Sequence, residues 1–346
     1  MNSPLFNSVH QQLLRQFATA CVTAADKPVI SLDKTFFAQF NAESQQVVAA
    51  LKDFTDWGLP LRFDDATRPR QLWLTADIEL LDSVSILSVM SASSQTRLKH
   101  LDIFPLLNST NQYLLQQDFP ACAACLAEYQ QAGRGRQGRR WFSPFASGLC
   151  LSLQWQFDKP PQALALALAT VIAKRLIQLG ATDLSLKWPN DLLWKKSKKL
   201  AGLLIETRHS RAGWKVVIGL GLNIAQPGQV LFDAENPQNS PDQPWVELQS
   251  LCRQKLSRNQ VAGLLLNDLI EALESYEQQG FAAYQAAWQA LDACYLQAVT
   301  LHTEQGQISG IAQGVDEYGG LRVQTLNGSR VFVSGEVSLR LDKTAH

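Results

Sequence analysis

A glycine- and arginine-rich stretch held between two apolar segments constrains the fold of this chain more than any other feature of its sequence. Residues 128 to 144 read EYQQAGRGRQGRRWFSP, with no acidic residue among the four arginines. Glycine lets backbone N–H groups turn toward an anion, and each guanidinium offers a planar fork of donors. An apolar run precedes the stretch, and an alternating run at residues 149–157 follows it. We therefore interpret it as an anion-binding loop between two strands rather than a disordered tail.

The balance of charge excludes a general attraction for polyanions. The 346 residues include 31 basic and 31 acidic side chains, so the formal net charge is zero. A second basic cluster, at residues 187 to 199, contains five lysines and a single acidic residue, Asp191. Cys122 and Cys125 form a C-x-x-C without a second pair, which predicts buried thiols rather than a zinc site.

The sequence contains no pattern typical of a secretion signal or a membrane span. The first five residues carry no basic side chain, and the longest apolar helix-like run, residues 163–173, is far short of the ~20 residues that a bilayer requires. Six cysteines are scattered along the chain, which in this context indicates reduced thiols. These features predict a cytoplasmic protein.

The first 75 residues follow the element order of a winged helix-turn-helix. Patterns of apolar residues predict helices over residues 4–21, from Asp33, and over residues 43–57, and then strands over 59–63 and 71–74. The third helix is expected to bury one face, formed by Val47, Val48, Leu51 and Phe54.

The charge of this region does not match a DNA-binding role. Residues 1–105 carry nine basic and eleven acidic side chains, whereas most affinity for DNA comes from cations placed on phosphates. Two alternatives stay open: the domain reads operator DNA, or it is degenerate and binds none. The candidate DNA contacts are Gln45, Gln46 and Lys52 on the third helix and Arg68 and Arg70 on the wing.

From residue 76 onward the chain is predicted to contain a connecting segment and two further domains. Residues 78–90 have a helical pattern, and the serine-rich stretch at 91–94 is typical of an interdomain linker. Alternating strand and helix patterns then predict a mixed α/β domain. Short strands and an Asn327-Gly328 pair, typical of a type I′ hairpin, predict a small β-barrel. The predicted units are residues 1–75, 76–98 (helix and linker), 99–294 and 295–346.

The arginine-rich loop resembles the biotin- and adenylate-binding loop of the biotin protein ligases, the bacterial bifunctional ligase/repressors in particular. Further motifs stand in that family's order: Ser109-Thr110-Asn111, then Lys187-Trp188-Pro189-Asn190-Asp191 with Lys199-Leu200-Ala201-Gly202, then Gly219-Leu220-Gly221-Leu222-Asn223, then Gly335-Glu336-Val337-Ser338-Leu339-Arg340. The resemblance implies an α+β multidomain protein. Its parts would be an N-terminal winged helix-turn-helix, a central α/β ligase domain of the class II synthetase-like type and a C-terminal SH3-like barrel.

The resemblance also implies an activity. Biotin and ATP would condense to biotinyl-5′-AMP, and biotin would pass to a lysine of the biotin carboxyl carrier protein of acetyl-CoA carboxylase. The implied biotin-binding residues are Ser109, Thr110, Asn111, Gln130, Gly133, Arg134, Gly135, Arg136, Trp141 and Lys199. The implied nucleotide-binding residues are Arg136, Arg139, Trp141, Asn190, Asp191, Asn223, Trp245 and Arg340. A homodimer is expected when biotinyl-AMP is bound.

The chemistry itself gives these residue types a role. A carboxylate that attacks an α-phosphate brings two anions together, so cations must offset the repulsion. Arg136, Lys187 and Lys199 are the expected catalytic cations, and Asp191 is expected to help hold Mg²⁺. Lys198 adjoins Lys199, and the spacing from the aspartate is longer than in the family, so the choice between the two lysines stays open.

Two more segments have an expected role, and two other functions are weighed against the ligase. Gly219-x-Gly221 is interpreted as a place where the backbone lets a nucleotide approach, and residues 226–244, rich in proline and polar side chains, as a mobile lid. A lipoate ligase is disfavoured because the Arg-Arg-x-x-Gly-Gly-Gly signature of that branch is absent. A ligand-sensing DNA-binding regulator without ligase activity remains the alternative from another class.

Overall fold

A computed structural model of the protein describes residues 6–23, 29–64, 66, 69–119, 122–211, 213–225, 243–303, 306–333 and 338–341. Three groups of elements follow one another: an N-terminal group of helices with a small sheet, a central group on a seven-stranded sheet, and a C-terminal five-stranded sheet. None of the described helices has both the length and the apolar character that a bilayer span requires.

The N-terminal group consists of α1 (Ser8–Thr23), β1 (Val29–Ser31), α2 (Lys34–Phe37), α3 (Ser44–Asp56), β2 (Leu61–Asp64) and β3 (Gln71–Leu74). Asp33 begins α2 by accepting a hydrogen bond from Phe36 N (2.8 Å), and Gln46 forms a capping box with Glu43 at the start of α3. The three helices and the β2–β3 hairpin match the prediction. Strand β1, which pairs with β3, has no counterpart in it.

One face of α3 closes the core of the N-terminal group. Val47, Ala50, Leu51 and Phe54 are buried, at the spacing expected for one face of a helix. The prediction that Val48 belongs to this face is wrong, since its side chain is 46% exposed. Adjacent residues lie about 100° apart around a helix, so Val48 points away from the core that its neighbour enters.

The serine-rich stretch predicted to be a linker is part of a helix instead. Helix α4 is confined to Ser83–Ser88, and α5 (Ala92–Arg97) follows it directly. Ser91 caps α5 by accepting a hydrogen bond from Ser94 N (3.2 Å), and its own N–H donates to Asn267 Oδ1 (3.0 Å) in α9 (Arg258–Gln279). Caps and contacts with α9 therefore order residues whose composition alone is typical of a flexible segment.

The central sheet has the strand order β4-β5-β6-β10-β9-β8-β7. Its strands are β4 (His100–Leu107), β5 (Ala123–Gln130), β6 (Gly148–Phe157), β7 (Leu184–Lys187), β8 (Asp191–Trp194), β9 (Lys198–Ser210) and β10 (Gly213–Asn223). Only the β4–β5 pair is parallel among these neighbours. The helices around the sheet are α6 (Thr110–Gln116), α7 (Leu164–Gln178), α8 (Leu248–Leu251), α9 and α10 (Ala282–Ala290).

Strand β5 shows how both faces of the sheet are covered. Ala124 and Leu126 belong to the large core that includes α7 and α9, whereas Ala123, Cys125 and Ala127 pack on the side of α6. Successive side chains of a strand point to opposite faces, so residues 123–127 of this strand are apolar on both faces. Both cysteines of the C-x-x-C are buried free thiols.

The C-terminal group is an antiparallel sheet in the order β14-β13-β12-β11-β15. Its strands are β11 (Ala298–Thr303), β12 (Gly306–Val315), β13 (Leu321–Thr325), β14 (Gly328–Phe332) and β15 (Ser338–Leu341). The β13–β14 hairpin is where the sequence predicts it, but the predicted type I′ turn is wrong. Gly328 has φ 105° while Asn327 is not left-handed, and a type I′ turn needs positive φ at both central residues.

Candidate active site

Four separate segments converge on one region of the central sheet: the start of α6, the loop between β5 and β6, the β8–β9 hairpin and the middle of β10. A Cβ atom on Gly219 would lie 2.3 Å from Asn111 Oδ1, and one on Gly221 would lie 2.3 Å from Trp141 Cε2. The space beside these glycines, predicted to admit a nucleotide, is occupied here by two other side chains of the site. Neither position can take a side chain without displacing one of them.

The Ser-Thr-Asn motif forms a buried polar floor. Ser109 caps α6 and accepts a hydrogen bond from the backbone N–H three residues on (3.4 Å). Gln130 Oε1 accepts hydrogen bonds from Thr110 N (2.8 Å) and Thr110 Oγ1 (3.1 Å). Ser152 of β6, which the sequence did not single out, has its Oγ 2.7 Å from Thr110 Oγ1 and 2.5 Å from Asn111 Oδ1. The motif and Gln130 are therefore brought together and fixed by a third element.

Glu206 of β9 joins this floor to the arginine-rich loop. Its Oε2 accepts a hydrogen bond from Asn111 Nδ2 (2.9 Å) and lies 3.1 Å from Arg134 Nη2 in an ion pair. Glu206 was also missed by the sequence analysis, since a single glutamate inside a long strand gives no local signal. The pairing holds one arginine of the loop over the polar floor.

The loop itself folds back through backbone hydrogen bonds. Gly135 N donates to Arg139 O (2.7 Å), and Trp141 N donates to Gly133 O (3.0 Å), so the two arms of the loop run side by side. A Cβ atom on Gly133 would lie 2.3 Å from Trp141 O, which makes glycine necessary at this position. Gln137 sits at the tip with φ 54°. The fold of the loop therefore depends on its glycines.

The loop also begins at a buried ion pair. Glu128, near the end of β5, has Oε2 2.8 Å from Arg258 Nη2 of α9, and both side chains are almost fully buried. Arg258 Nη2 also donates to Gly148 O (2.8 Å), at the start of the strand that follows the loop. One buried arginine thus fixes both ends of the loop to the same helix, because breaking such a pair leaves an uncompensated buried charge.

Asp191 and Lys199, on neighbouring strands, form an ion pair in the site. Lys199 Nζ lies 2.8 Å from Asp191 Oδ1, with the side chains 19% and 14% exposed, and it lies 5.5 Å from the centroid of the Trp141 ring. Lys198 is exposed, and its Nζ lies 5.6 Å from the Trp194 ring instead. Successive side chains of a strand point to opposite faces. The structure therefore places Lys199, and not Lys198, beside the aspartate.

Arg136 lies close enough to the Lys199–Asp191 pair for Asp191 to affect the pKa of its guanidinium. Its side chain is half-buried, and burial lowers the pKa of the guanidinium from its ordinary value, an effect opposed by Asp191 and reinforced by Arg139. An arginine keeps its charge in proteins under such conditions. The site consequently contains two cations, Arg136 and Lys199, that share the field of one carboxylate.

The remaining predicted residues of the central domain surround the hairpin. Lys187 lies opposite the aspartate in the β7–β8 pairing. Asn190 Nδ2 donates to a backbone carbonyl of β9 (2.6 Å), and Asn223 Nδ2 donates to Lys199 O (3.3 Å). Trp245 forms an isolated β-bridge with Lys199. Both amides are thus engaged with the backbone and position the hairpin that carries the lysine.

Several predicted features lie outside the described residues. These are Arg68 of the wing, residues 335–337 of the last motif, and all but 243 and 244 of the segment predicted to be a lid. The backbone of Arg340 pairs with Thr300 between β15 and β11, and its side chain is likewise outside the description.

One donor in the site has no acceptor. Trp141 Nε1 is buried without a hydrogen-bond partner. A buried polar group normally has a partner, so an unpaired N–H on the ring that lies near Lys199 indicates a place for an anionic or polar ligand. Within the described part of the chain, no three histidine, cysteine or acidic side chains come together as a metal site.

Comparisons with known proteins match this arrangement. Residues 103–223 match the biotin/lipoate A/B protein ligase family, and residues 297–340 match the biotin protein ligase C-terminal domain. The chain is 36% identical over 297 residues to the bifunctional ligase/repressor BirA of Escherichia coli and 37% identical over 297 residues to that of Salmonella typhimurium. Both alignments cover 84% of this chain and 87% of the relative.

A solved structure and a shorter relative extend the comparison. The biotin protein ligase from Aquifex aeolicus in complex with biotin and ATP superposes with a TM-score of 0.59 at 27% identity, covering 70% of this chain and 100% of that one. The biotin–[acetyl-CoA-carboxylase] ligase of Paracoccus denitrificans is 32% identical over 217 residues, 61% of this chain and 88% of the relative. Because the matched residues include the arginine loop, the lysine hairpin and the C-terminal sheet, the chain belongs to the biotin protein ligase family.

Proposed function

We propose that the protein activates biotin with ATP and transfers it to a lysine of the biotin carboxyl carrier protein of acetyl-CoA carboxylase. The observation that carries the proposal is the arrangement beneath the arginine loop, where the Lys199–Asp191 pair lies next to the unpaired N–H of Trp141. Fixed cations beside an unpaired donor suit a ligand with both a carboxylate and a phosphate. The A. aeolicus relative binds biotin and ATP together.

In the activation step, a carboxylate oxygen of biotin bonds to the α-phosphorus of ATP, and pyrophosphate leaves with the electrons of the broken P–O bond. Lys199 and Arg136 supply positive charge where the two anions meet, and Arg139 and Lys187 add charge around them. Because Asp191 holds the lysine in place before the substrates arrive, little reorganisation is needed during the reaction. Partial burial strengthens each of these interactions.

Biotin binding is assigned to the floor and to the loop above it. Ser109, Thr110, Asn111 and Gln130 would meet the ureido ring, since their spare lone pairs and N–H groups are fixed in a buried site. Gly133, Arg134 and Gly135 would close over the ligand, and Trp141 would lie between biotin and nucleotide. Asn190, Asn223, Trp245 and Arg340 complete the proposed nucleotide set.

In the transfer step, the amine of the acceptor lysine attacks the carbonyl carbon of the mixed anhydride. An amide bond forms, the bond from the carbonyl carbon to the phosphate oxygen breaks, AMP leaves, and the amine loses a proton to solvent. No nucleophilic side chain of this chain takes part. What the chain must do is hold the adenylate and exclude water from it, which the arginine loop is suited to do.

Magnesium is proposed to arrive with the phosphates of ATP. Asp191 is the single carboxylate among the catalytic residues, and one of its oxygens is already paired with Lys199. Mg²⁺ is usually held by one or two carboxylates together with substrate phosphates and water. Asp191 therefore fits a ligand of a nucleotide-borne ion, directly or through water.

The ligase proposal is tested by incubating the protein with ATP, labelled biotin and the carrier domain. Label should appear on the carrier only when ATP is present, with one AMP released for each biotin transferred. A carrier whose acceptor lysine is replaced by arginine is the matched control, and it should remain unlabelled. Release of pyrophosphate with no label on the intact carrier would restrict the function to activation, and the absence of both would refute it.

We also infer a homodimer in the presence of biotinyl-AMP. Strand β8 pairs with Lys198–Gly202 of β9 and Asn190 bonds the backbone of Leu203, so among the described strands residues 204–210 of β9 are paired on one side alone, with β10. Such an edge can pair with another strand. Glu206 on this edge also pairs with Arg134 of the loop, so ligand and interface would be linked. Sedimentation velocity with and without biotinyl-AMP tests this: an unchanged coefficient would refute it.

A second proposed function is repression, because the E. coli and S. typhimurium relatives are named bifunctional ligase/repressors. The N-terminal group would be a winged helix-turn-helix with α3 as recognition helix. The proposed contacts are Gln45, Gln46 and Lys52 of α3 with Arg68 and Arg70. Of these, Lys52 is paired within α3 at 2.8 Å and Gln46 joins the capping box. Gel-shift titration of the biotin operator tests this. No shift, with or without biotinyl-AMP, would favour a ligase with a degenerate N-terminal domain.

A cytoplasmic location completes the proposal. ATP and a reducing environment are both found there, and the five described cysteines are free thiols. The proposed units are those given by the sequence patterns, with residues 76–98 as a connecting unit that contains helices α4 and α5 and contacts α9 of the catalytic unit.

A further inference from the structure

The turn between β8 and β9 is built from lysines in a conformation that lysine rarely adopts. Lys195 and Lys196 have φ 46° and 56°, in the left-handed region where glycine and asparagine are favoured. The turn is closed by a hydrogen bond from Ser197 N to Trp194 O (3.1 Å) and fixed to the preceding loop by one from Lys195 N to Asp183 O (3.0 Å). Strained residues persist where the surroundings hold them, and they cluster at functional sites.

The three lysines of this turn differ from the cations of the active site in having no carboxylate within ion-pair distance, although Lys196 acts on Asp292 from farther away. Lys195, Lys196 and Lys198 are exposed, and none forms an ion pair with a carboxylate in the part of the chain that the structure describes. Trp194 forms a platform between two of them, with its ring centroid 4.6 Å from Lys195 Nζ and 5.6 Å from Lys198 Nζ. The turn is therefore a compact positive surface over an aromatic base.

This lysine surface lies near the proposed catalytic residues but does not point toward them. The hairpin that ends in the turn also carries Asp191 and Lys199, and a strand rise of about 3.3 Å per residue puts Lys195 about 13 Å along from the aspartate. That distance is within the width of a small protein domain. Lys198 points away from Lys199, so the turn does not belong to the ATP site.

We propose that the turn formed by Trp194, Lys195, Lys196 and Lys198 is a docking surface for an acidic face of the protein that receives biotin. The inference rests on the proposed ligase function and adds the part of the surface that the acceptor meets. A protein is favoured over nucleic acid as the binding partner, because the transfer reaction requires an acceptor protein to bind close to this hairpin. Three cations on one tight turn also form a spot rather than the extended track that a phosphate backbone follows.

The test uses the full-length triple variant Lys195→Gln/Lys196→Gln/Lys198→Gln. Enzyme loaded with biotinyl-AMP is mixed with a carrier domain, and single-turnover transfer is measured against carrier concentration and salt. Electrostatic steering typically changes association rates by about 10- to 1000-fold. We expect the second-order rate constant to fall about tenfold at low salt and the salt dependence to flatten, with the rate of biotinyl-AMP formation unchanged.

A matched variant removes the same charge elsewhere. Lys34, Lys159 and Lys174 are exposed and lie outside the site, so Lys34→Gln/Lys159→Gln/Lys174→Gln should transfer like the wild type. Equal transfer rates in the two variants would overturn the proposal and leave the ligase function standing. Loss of operator binding in the turn variant, with transfer unchanged, would assign the turn to nucleic acid and also overturn it. Failure of the wild type to form biotinyl-AMP would instead count against the ligase function itself.

Discussion

The ligase site and the N-terminal group place their charges in different ways. In the site, each paired cation meets a carboxylate from another segment: Lys199 meets Asp191 across two strands, and Arg134 meets Glu206 across a loop and a strand. In the N-terminal group, Lys52 meets a carboxylate of its own helix, one turn away. An ion pair between two segments holds a pocket in place. An ion pair within one helix contributes little to stability and lowers the net charge of the helix surface.

The two regions are nevertheless joined, and the joint lies at the ligand loop. Two aromatic residues at the end of α3 contact aromatic residues on either side of the loop. Phe54 meets Phe145 edge to face with ring centroids 5.4 Å apart, and Trp57 stacks with Tyr129 with ring centroids 5.9 Å apart. Phe145 N also donates to Trp57 O (2.8 Å). The ligase site and the N-terminal group therefore share one aromatic core.

The largest effect is expected from breaking this joint. Phe145 is fully buried, and phenylalanine-to-alanine changes in a core cost about 3–5 kcal/mol. Phe145→Ala should therefore lower the free energy of unfolding by an amount in this range. Hydrogen exchange should speed up both in α3 and at the amides of the arginine loop. Exchange that rises in α3 alone would mean that the loop does not depend on the joint.

Next in size is the removal of the paired lysine. Lys199→Gln should slow pyrophosphate release about 10²-fold, or about 2.7 kcal/mol, since a fixed charge at the reacting centre is lost. Thermal stability should change little, because glutamine can still reach Asp191. The neighbouring Lys198→Gln is the matched control for activation, since that side chain points away from the site. Equal rates in the two variants would show that the ion pair is structural.

Asp292 is the opposite case to Asp191, because none of the described cations lies within ion-pair distance of its carboxylate and Lys196 acts on it only from farther away. Asp292 is 8% exposed, its Oδ2 has no hydrogen-bond partner, and burial raises the pKa of its carboxyl to about 6, against an opposing hydrogen bond from Cys294 N. Because the folded pKa lies above the ordinary value of 3.8 for an aspartate, the folded state binds the proton more tightly. Stability from this group is present at low pH and is lost as pH rises toward and through about 6.

Asp292→Asn should therefore be more stable than the wild type above pH 7, by about 3 kcal/mol, which is the free energy that corresponds to a shift from 3.8 to about 6. Asparagine keeps the acceptor for Cys294 N and carries no charge at any pH. The difference should shrink as pH falls and vanish near pH 4, which urea denaturation at a series of pH values would reveal. A difference that is constant across this range would show that the carboxyl titrates normally.

Local signals explain which features the sequence could predict. The Ser109 cap, the buried face of α3 except Val48, and the glycine-dependent loop each depend on residues close in sequence. Ser152 and Glu206 were missed because only the register of β6, β9 and β10 brings them to Asn111. Ser91 was misassigned because its partner, Asn267, is far along the chain. The choice between Lys198 and Lys199 likewise needed the pairing of β8 with β9, where an irregularity in register falls between Leu192 and Leu193.

The smallest effect is expected from the one cation of α3. Lys52 is 75% exposed, and exposed ion pairs within a helix contribute little to stability, so Lys52→Gln should leave both stability and operator affinity nearly unchanged. Arg70 lies with its guanidinium 4.4 Å from the centroid of the Phe63 ring, which holds it on the wing. Arg70→Gln should weaken biotinyl-AMP-dependent operator binding and reduce its salt dependence by about one phosphate contact. If Lys52→Gln weakens operator binding more than Arg70→Gln does, then α3 contacts the DNA phosphates in spite of the ion pair within the helix. The ion pair within α3 would then not keep that helix from binding DNA, and the contrast with the ligase site would fail.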